Sequence, residues 1–180
     1  MEKLSRPFEV KEWDEQGTFS GYASVFGNID SHGDIVAKGA FADTLAEAKR
    51  ENRPVQMLWQ HGVEGEMPVG RWTSMHEDDN GLYVEGKIAT KTSRGADVYE
   101  LMKMGALNGM SIGYRATSWV MHGKHHPARR TLKAVKLFEV SIVSDPSNGL
   151  ARVDAVKSRD DESTRFSRAL SELAAAVRAA

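Results

Sequence analysis

Along most of the chain, apolar and polar positions fall into short strand-like runs separated by clusters of turn-forming residues. Residues 7–13 and 18–26 read as a hairpin around Asp14-Glu15-Gln16-Gly17. Residues 40–51 carry Ala, Leu, Glu and Lys and predict a first helix. Strands are expected at 54–60, 68–75 and 82–89, with a polar turn between His76 and Gly81. A second helix is expected over 93–105, with Ser93 as N-cap, Val98, Leu101 and Met102 at helical spacing, and Gly105 at its stop. Two more strands, 108–120 and 131–144, flank a loop at 122–128. Residues 145–162 are polar and irregular, as in a linker. From Ser163 to Ala180 the residues Phe166, Leu170, Leu173 and Val177 share one helical stripe, which predicts a terminal amphipathic helix.

Composition narrows the classes of function. The 180 residues suffice for one domain with a proper core. A net charge of −1 gives no support to nucleic-acid or anionic-membrane binding, so neither is expected as a partner. The chain has no cysteine, which excludes disulfides, thiolate metal sites and a cysteine nucleophile. Met1 to Val10 lacks the apolar core of a signal peptide, and no apolar run approaches the roughly 20 residues of a membrane span. A soluble protein in the cytoplasm of whatever cell makes it is expected, without a cofactor.

Three residues stand out chemically. Ser111 lies in Gly109-Met110-Ser111-Ile112-Gly113, a G-x-S-x-G string. The α/β-hydrolase setting does not suit it: a helix precedes the serine, and no Asp or Glu lies between Ser111 and the later His122, His125 and His126. The flanking glycines still allow a close backbone approach by a substrate. The base then lies upstream. His61 ends the run Met57-Leu58-Trp59-Gln60, where strand alternation places Met57, Trp59 and His61 on one face. It reads either as a hydrogen-bonded structural residue or as a general base titrating near neutrality. Glu139 sits inside the largely apolar Leu137-Phe138-Glu139-Val140-Ser141-Ile142-Val143. A carboxylate there needs a partner, either a histidine N–H or an arginine such as Arg71 or Arg115.

Several blocks then appear in order: Gly21-Tyr22-Ala23-Ser24-Val25-Phe26-Gly27-Asn28-Ile29-Asp30, Gly33-Asp34, Gly39-Ala40-Phe41, Gln60-His61-Gly62, Pro68-Val69-Gly70, Gly109 to Tyr114, and Leu137 to Ser141. Together they resemble the tailed-phage prohead proteases of the HK97 type, over about Phe19 to Asn148. The resemblance implies a catalytic triad of Ser111, His61 and Glu139. It implies an α+β fold, a mostly antiparallel β-barrel with surrounding helices, similar to the herpesvirus assembly proteases. It also implies an endopeptidase inside the assembling procapsid that cleaves the scaffolding segment of the major capsid protein, and finally itself. Homodimerisation is suggested by the same similarity. The expected organisation is a protease domain at 1–148, a linker at 149–162 and the helix at 163–180.

Two other clusters invite a metal. Asp30-Ser31-His32-Gly33-Asp34 reads as a tight loop before it reads as a ligand set. His122, His125 and His126 neighbour Lys124, Arg129 and Arg130, which would repel a cation. No metal is expected. Trp59 and Trp72 are expected in the core. The rival classes are a non-catalytic capsid scaffold protein on the same fold and a metal-dependent hydrolase using Asp30, His32 and Asp34.

Overall fold

A computed structural model describes residues 17–62 and 67–156. The expected strand at 7–13 and the helix at 163–180 lie outside the described residues. In chain order the elements are β1 (Thr18–Val25), β2 (Asp34–Val36), α1 (Ala42–Arg50), β3 (Gln56–Trp59), β4 (Gly70–Glu77), β5 (Gly81–Ile88), α2 (Ser93–Lys103), β6 (Gly109–Met121), β7 (Arg130–Val143) and β8 (Val153–Val156). None of the described helices is long and apolar enough to cross a membrane.

The strands form one mixed eight-stranded sheet in which β7 is the hub. Antiparallel β6 runs along one side of it. The other side is shared by two parallel neighbours, β2 at Arg130–Leu132 and β3 at Glu139–Ile142. From β3 the sheet continues antiparallel through β4, β5, β1 and β8. Among the described residues no ladder closes it. Between the start of β6 and the β8 segment there is an isolated bridge, Gly109 to Arg152, flanked by Met110 N–H to Ala151 C=O (3.1 Å) and Val153 N–H to Asn108 C=O (2.8 Å). The described chain is therefore a mixed sheet with few helices.

The core follows from the alternation. Phe19, Phe41, Met57, Leu82, Val84, Ile88, Met110, Leu132, Val140 and Ile142 are essentially fully buried, each burial of this kind contributing about 1.5–3 kcal/mol. Trp59 and Trp72 pack against this cluster as expected, Trp72 edge-on to Phe19. α2 adds Val98, Tyr99 and Met102. Its N-cap is Thr92 rather than the expected Ser93. Thr92 holds extended dihedrals, and its hydroxyl accepts from Gly95 N–H at 3.1 Å. At the other end Gly105 takes φ +75°, the left-handed stop that the sequence suggested.

Two strands were not foreseen. β2 is only three residues long, too short to display an alternation. β8 lies inside the stretch expected to be irregular linker. It is placed there by pairing with β1, through Phe19–Val156, Ser20–Ala155 and Gly21–Val153. That pairing depends on Gly21, where a Cβ would sit 2.2 Å from the Arg152 carbonyl oxygen.

Register along the β6–β7 pair is regular from Gly109–Val143 to Gly113–Glu139. It then shifts three times, at 113/114, 116/118 and 118/119. The far end of the hairpin exposes Trp119, Val120 and Met121.

Candidate active site

β7 sets the geometry. Glu139 and Ser141 are two residues apart on a strand and so project to one face. Both are buried despite their polarity. Ser111 on β6 stands opposite Ser141, and Gly113 stands opposite Glu139. A Cβ at Gly113 would lie 2.1 Å from Glu139 Oε1. The second glycine of the G-x-S-x-G string thus makes room for a carboxylate of its own chain, rather than the approach to substrate that the sequence suggested.

His61 arrives from the other side of β7. The expected alternation through Met57, Trp59 and His61 does not persist, because β3 ends at Trp59. Gln60, His61 and Gly62 then follow one another in the left-handed region, at φ 48°, 63° and 66°. For the two non-glycine residues that conformation costs about 1–2 kcal/mol each. It is held by Gln60 N–H to Ile142 C=O (3.1 Å), by Gln60 Nε2 to Ser144 Oγ (3.0 Å) and by His61 N–H to Ser141 Oγ (3.1 Å). The reversal brings His61 back over β7, where its Nδ1 lies 2.8 Å from Glu139 Oε1. Ser141 Oγ donates to the other oxygen, Oε2, at 2.5 Å. The buried carboxylate is therefore paired with His61 and Ser141, not with Arg71 or Arg115.

The hydrogen bond to Glu139 raises the His61 pKa above its ordinary value. Burial opposes the shift, and the carboxylate charge adds to it. Since the carboxylate accepts, Nδ1 carries the hydrogen, and Nε2 is left with its lone pair for another group.

Ser111 and His61 line one small cavity of about 90 Å³, together with Ser24, His32, Tyr114 and Asn148. No hydrogen bond joins Ser111 Oγ to His61 among the described residues. The three expected site residues thus gather in one region: Glu139 touches His61, and Ser111 shares its cavity.

The other candidate clusters have different work. Asp30 Oδ1 accepts from the backbone N–H groups of His32 and Asp34, each at 2.8 Å. Asp34 is buried and receives Arg130 at 2.9 and 2.8 Å and Arg129 at 3.2 Å. This is a tied loop beside the cavity. His122 and His126 stack with ring centroids 3.8 Å apart, and His122 Nε2 bonds Thr131 Oγ1 at 2.8 Å. Among the described residues, no group of three or more His, Asp or Glu is placed to hold a metal. Reading the sequence for chemistry passed over Ser141, although its two-residue spacing from Glu139 was the available signal.

A buried carboxylate bonded to an imidazole that shares a cavity with a serine is one arrangement from which a serine nucleophile can act. Comparison with known proteins agrees with that chemistry, since the caudovirus prohead serine proteases match residues 6–166. The chain belongs to this family. Within it, the prohead protease of Enterobacteria phage HK97 is 40% identical over 147 residues, covering 81% of this chain and 63% of that protein. The prohead protease of Escherichia phage T5 is 26% identical over 140 residues, or 77% of this chain and 62% of that protein. The chain therefore spans less than two thirds of the length of these two prohead proteases. Among solved structures, the bacteriophage T4 capsid assembly protease gp21 has a TM-score of 0.57, covering 72% of this chain and 84% of that one. At 13% identity this is a likeness of fold.

Proposed function

We propose that the chain is a serine endopeptidase in which Ser111 is the nucleophile, His61 the general base and Glu139 the group that orients the base. The observation that carries the reading is the 2.8 Å contact of His61 Nδ1 with the buried Glu139, beside a cavity that His61 shares with Ser111. Ser111 Oγ attacks the scissile carbonyl while His61 Nε2 takes its proton. The proton then passes to the leaving amine, and water hydrolyses the acyl-enzyme by the same route. Glu139 holds the imidazole in the tautomer that leaves Nε2 free, and stabilises the imidazolium as it forms. Ser141 holds Glu139.

Family membership supports the substrate and place of action: the scaffolding segment of the major capsid protein, and the enzyme itself, inside the assembling procapsid in the host. The bridge between the start of β6 and Arg152 supports a further reading, that β6 and β8 are the two ends of a herpesvirus-protease-type barrel. The protease unit then extends past the expected boundary at 148 and takes β8 as its last strand.

The test is intact-mass analysis of the cognate major capsid protein co-expressed with wild type or with Ser111→Ala. Trimming by wild type alone is the expected result, and the new terminus gives the cut site. Trimming by both variants removes Ser111 as nucleophile. Co-purification without trimming favours a non-catalytic scaffold role.

A further inference from the structure

Ser24 lies in the block Gly21-Tyr22-Ala23-Ser24-Val25-Phe26, for which the triad has no use. It is 1% exposed. Its Oγ is one of two described buried side-chain polar atoms with no hydrogen-bond partner, the other being Arg152 Nη1. A buried hydroxyl without a partner is costly, and one that persists in a folded protein calls for a reason.

Its position suggests the reason. β1 pairs regularly with β5 up to Tyr22–Tyr83, and the register then shifts before Ser24–Leu82. The shift breaks the alternation, so that Ala23 and Ser24 are buried in succession. Such a bulge re-aims a side chain, and bulges are concentrated beside active sites. Here it gives Ser24 to the cavity that Ser111 and His61 line. The other polar side chains on that cavity are already engaged. His32 Nε2 meets Ser147 Oγ at 3.2 Å, Asn148 bonds Asn28 and the Val25 carbonyl, Tyr114 reaches Asp34, and Asp30 accepts two backbone N–H groups. Ser111 and Ser24 hold no side-chain partner among the described residues, and of the His61 ring only Nδ1 is engaged.

Two of those three open groups are the nucleophile and the base. The remaining participant in acyl transfer is the carbonyl oxygen, which becomes an oxyanion and needs donors aimed at it. We infer that Ser24 Oγ–H is one of those donors, contacting the scissile carbonyl oxygen of the bound peptide. The inference rests on the triad proposed above.

The experiment compares wild type, Ser24→Ala and Ser111→Ala on three readouts: cleavage of the cognate capsid protein, the rate of labelling by a small fluorophosphonate, and thermal stability. In labelling, a Ser111 Oγ–P bond forms as the P–F bond breaks, fluoride leaves and His61 takes the hydroxyl proton. The phosphoryl-type oxygen then occupies the place of the carbonyl oxygen. For Ser24→Ala, kcat and the labelling rate are expected to fall by about 10- to 1,000-fold, with little change in KM. Its Tm is expected to hold or rise, because the substitution removes a buried hydroxyl that has no partner. Wild-type rates in Ser24→Ala, with Ser111 still labelled, overturn the inference and leave the triad standing. A lower Tm with activity lost only in proportion to unfolded protein also overturns it, as a structural role. Absence of Ser111 labelling in wild type removes the triad itself, and the role of Ser24 with it.

Discussion

Replacing Gly113 by alanine tests the site through a residue that performs no chemistry. The added Cβ would begin 2.1 Å from Glu139 Oε1, 2.8 Å from Glu139 Cδ and 2.8 Å from Glu139 Cγ. Real Cβ contacts do not fall below 3.0 Å, so the carboxylate oxygen must retreat by at least the difference, 0.9 Å. The bond from His61 to that same oxygen is 2.8 Å long. A retreat of this size along the bond takes it beyond about 3.5 Å, where a hydrogen bond is no longer made. Relief by moving β6 instead would shift the serine two residues away. Alanine in place of glycine stabilises a compatible site by about 0.4–1 kcal/mol through the unfolded chain. Each hydrogen bond to the buried carboxylate contributes about 1.5–3 kcal/mol. The loss wins, and a net destabilisation of about 0.5–2.5 kcal/mol is expected. On a fluorogenic peptide spanning the proposed capsid cut site, kcat should fall by about 10²- to 10⁴-fold while KM changes little.

The pH profile separates this from general damage. In the proposed mechanism His61 acts as a base only when neutral, so kcat/KM should rise with pH through its pKa. In wild type Glu139 holds that pKa above the ordinary value, and the acid limb lies correspondingly high. In Gly113→Ala the opposing effect of burial is left unbalanced, and the limb should move to lower pH even as the plateau drops. Gly123→Ala is the control, since nothing lies within 4 Å of its added Cβ. Wild-type kcat/KM with an unmoved acid limb in Gly113→Ala would refute the reasoning.

Other substitutions probe the supports of the site. Ser141→Ala removes both the donor to Glu139 Oε2 and the acceptor for His61 N–H. It should lower stability by about 1–3 kcal/mol in denaturant titration, and lower kcat by about tenfold, equivalent to about 1.4 kcal/mol of positioning. Asp34→Asn leaves Arg130 and Arg129 facing a neutral amide. A broken buried pair costs about 3–5 kcal/mol, and solvent at the arginines reduces the expected loss to about 2–3 kcal/mol. Burial pushes the Asp34 carboxyl up, but the bonds from Arg130 and Arg129 outweigh it and hold the pKa below the ordinary value. Its stabilisation is therefore complete above the ordinary carboxylate range and fades as pH falls through the folded pKa. The gap between wild type and Asp34→Asn in denaturant midpoint should narrow in acid.

Where local pattern and tertiary environment agreed, the sequence was legible. α2, the β6–β7 pair and the run that places Glu139 all follow from periodicity and from turn residues. Glu139 announced itself because a carboxylate among Leu, Phe, Val and Ile needs a partner, but one strand cannot reveal which partner. His61 and Arg71 or Arg115 were equal on chemistry, and the choice was made by three successive left-handed residues that no alternation predicts. β8 was hidden for the same reason: Val153 to Val156 becomes a strand only because β1 offers it an edge. The role of Gly113 also needed the register, since nothing in G-x-S-x-G tells that a carboxylate from another strand lies across it.

The register shifts of the β6–β7 pair carry a mechanical consequence. Ser111 and Met121 are ten residues apart on one strand, roughly 33 Å if fully extended, and both strands of the hairpin run without a break into the site. A ribbon of that length with regular pairing throughout would carry the direction of its tip straight to Ser111. All three irregularities fall between Gly113 and Trp119, where such bulges bend the strand and add twist. The shifts thus part the exposed tip at Trp119, Val120 and Met121 from the regular pairing of Ser111 with Ser141 and Gly113 with Glu139, so the direction of the tip is set separately from that of the paired base.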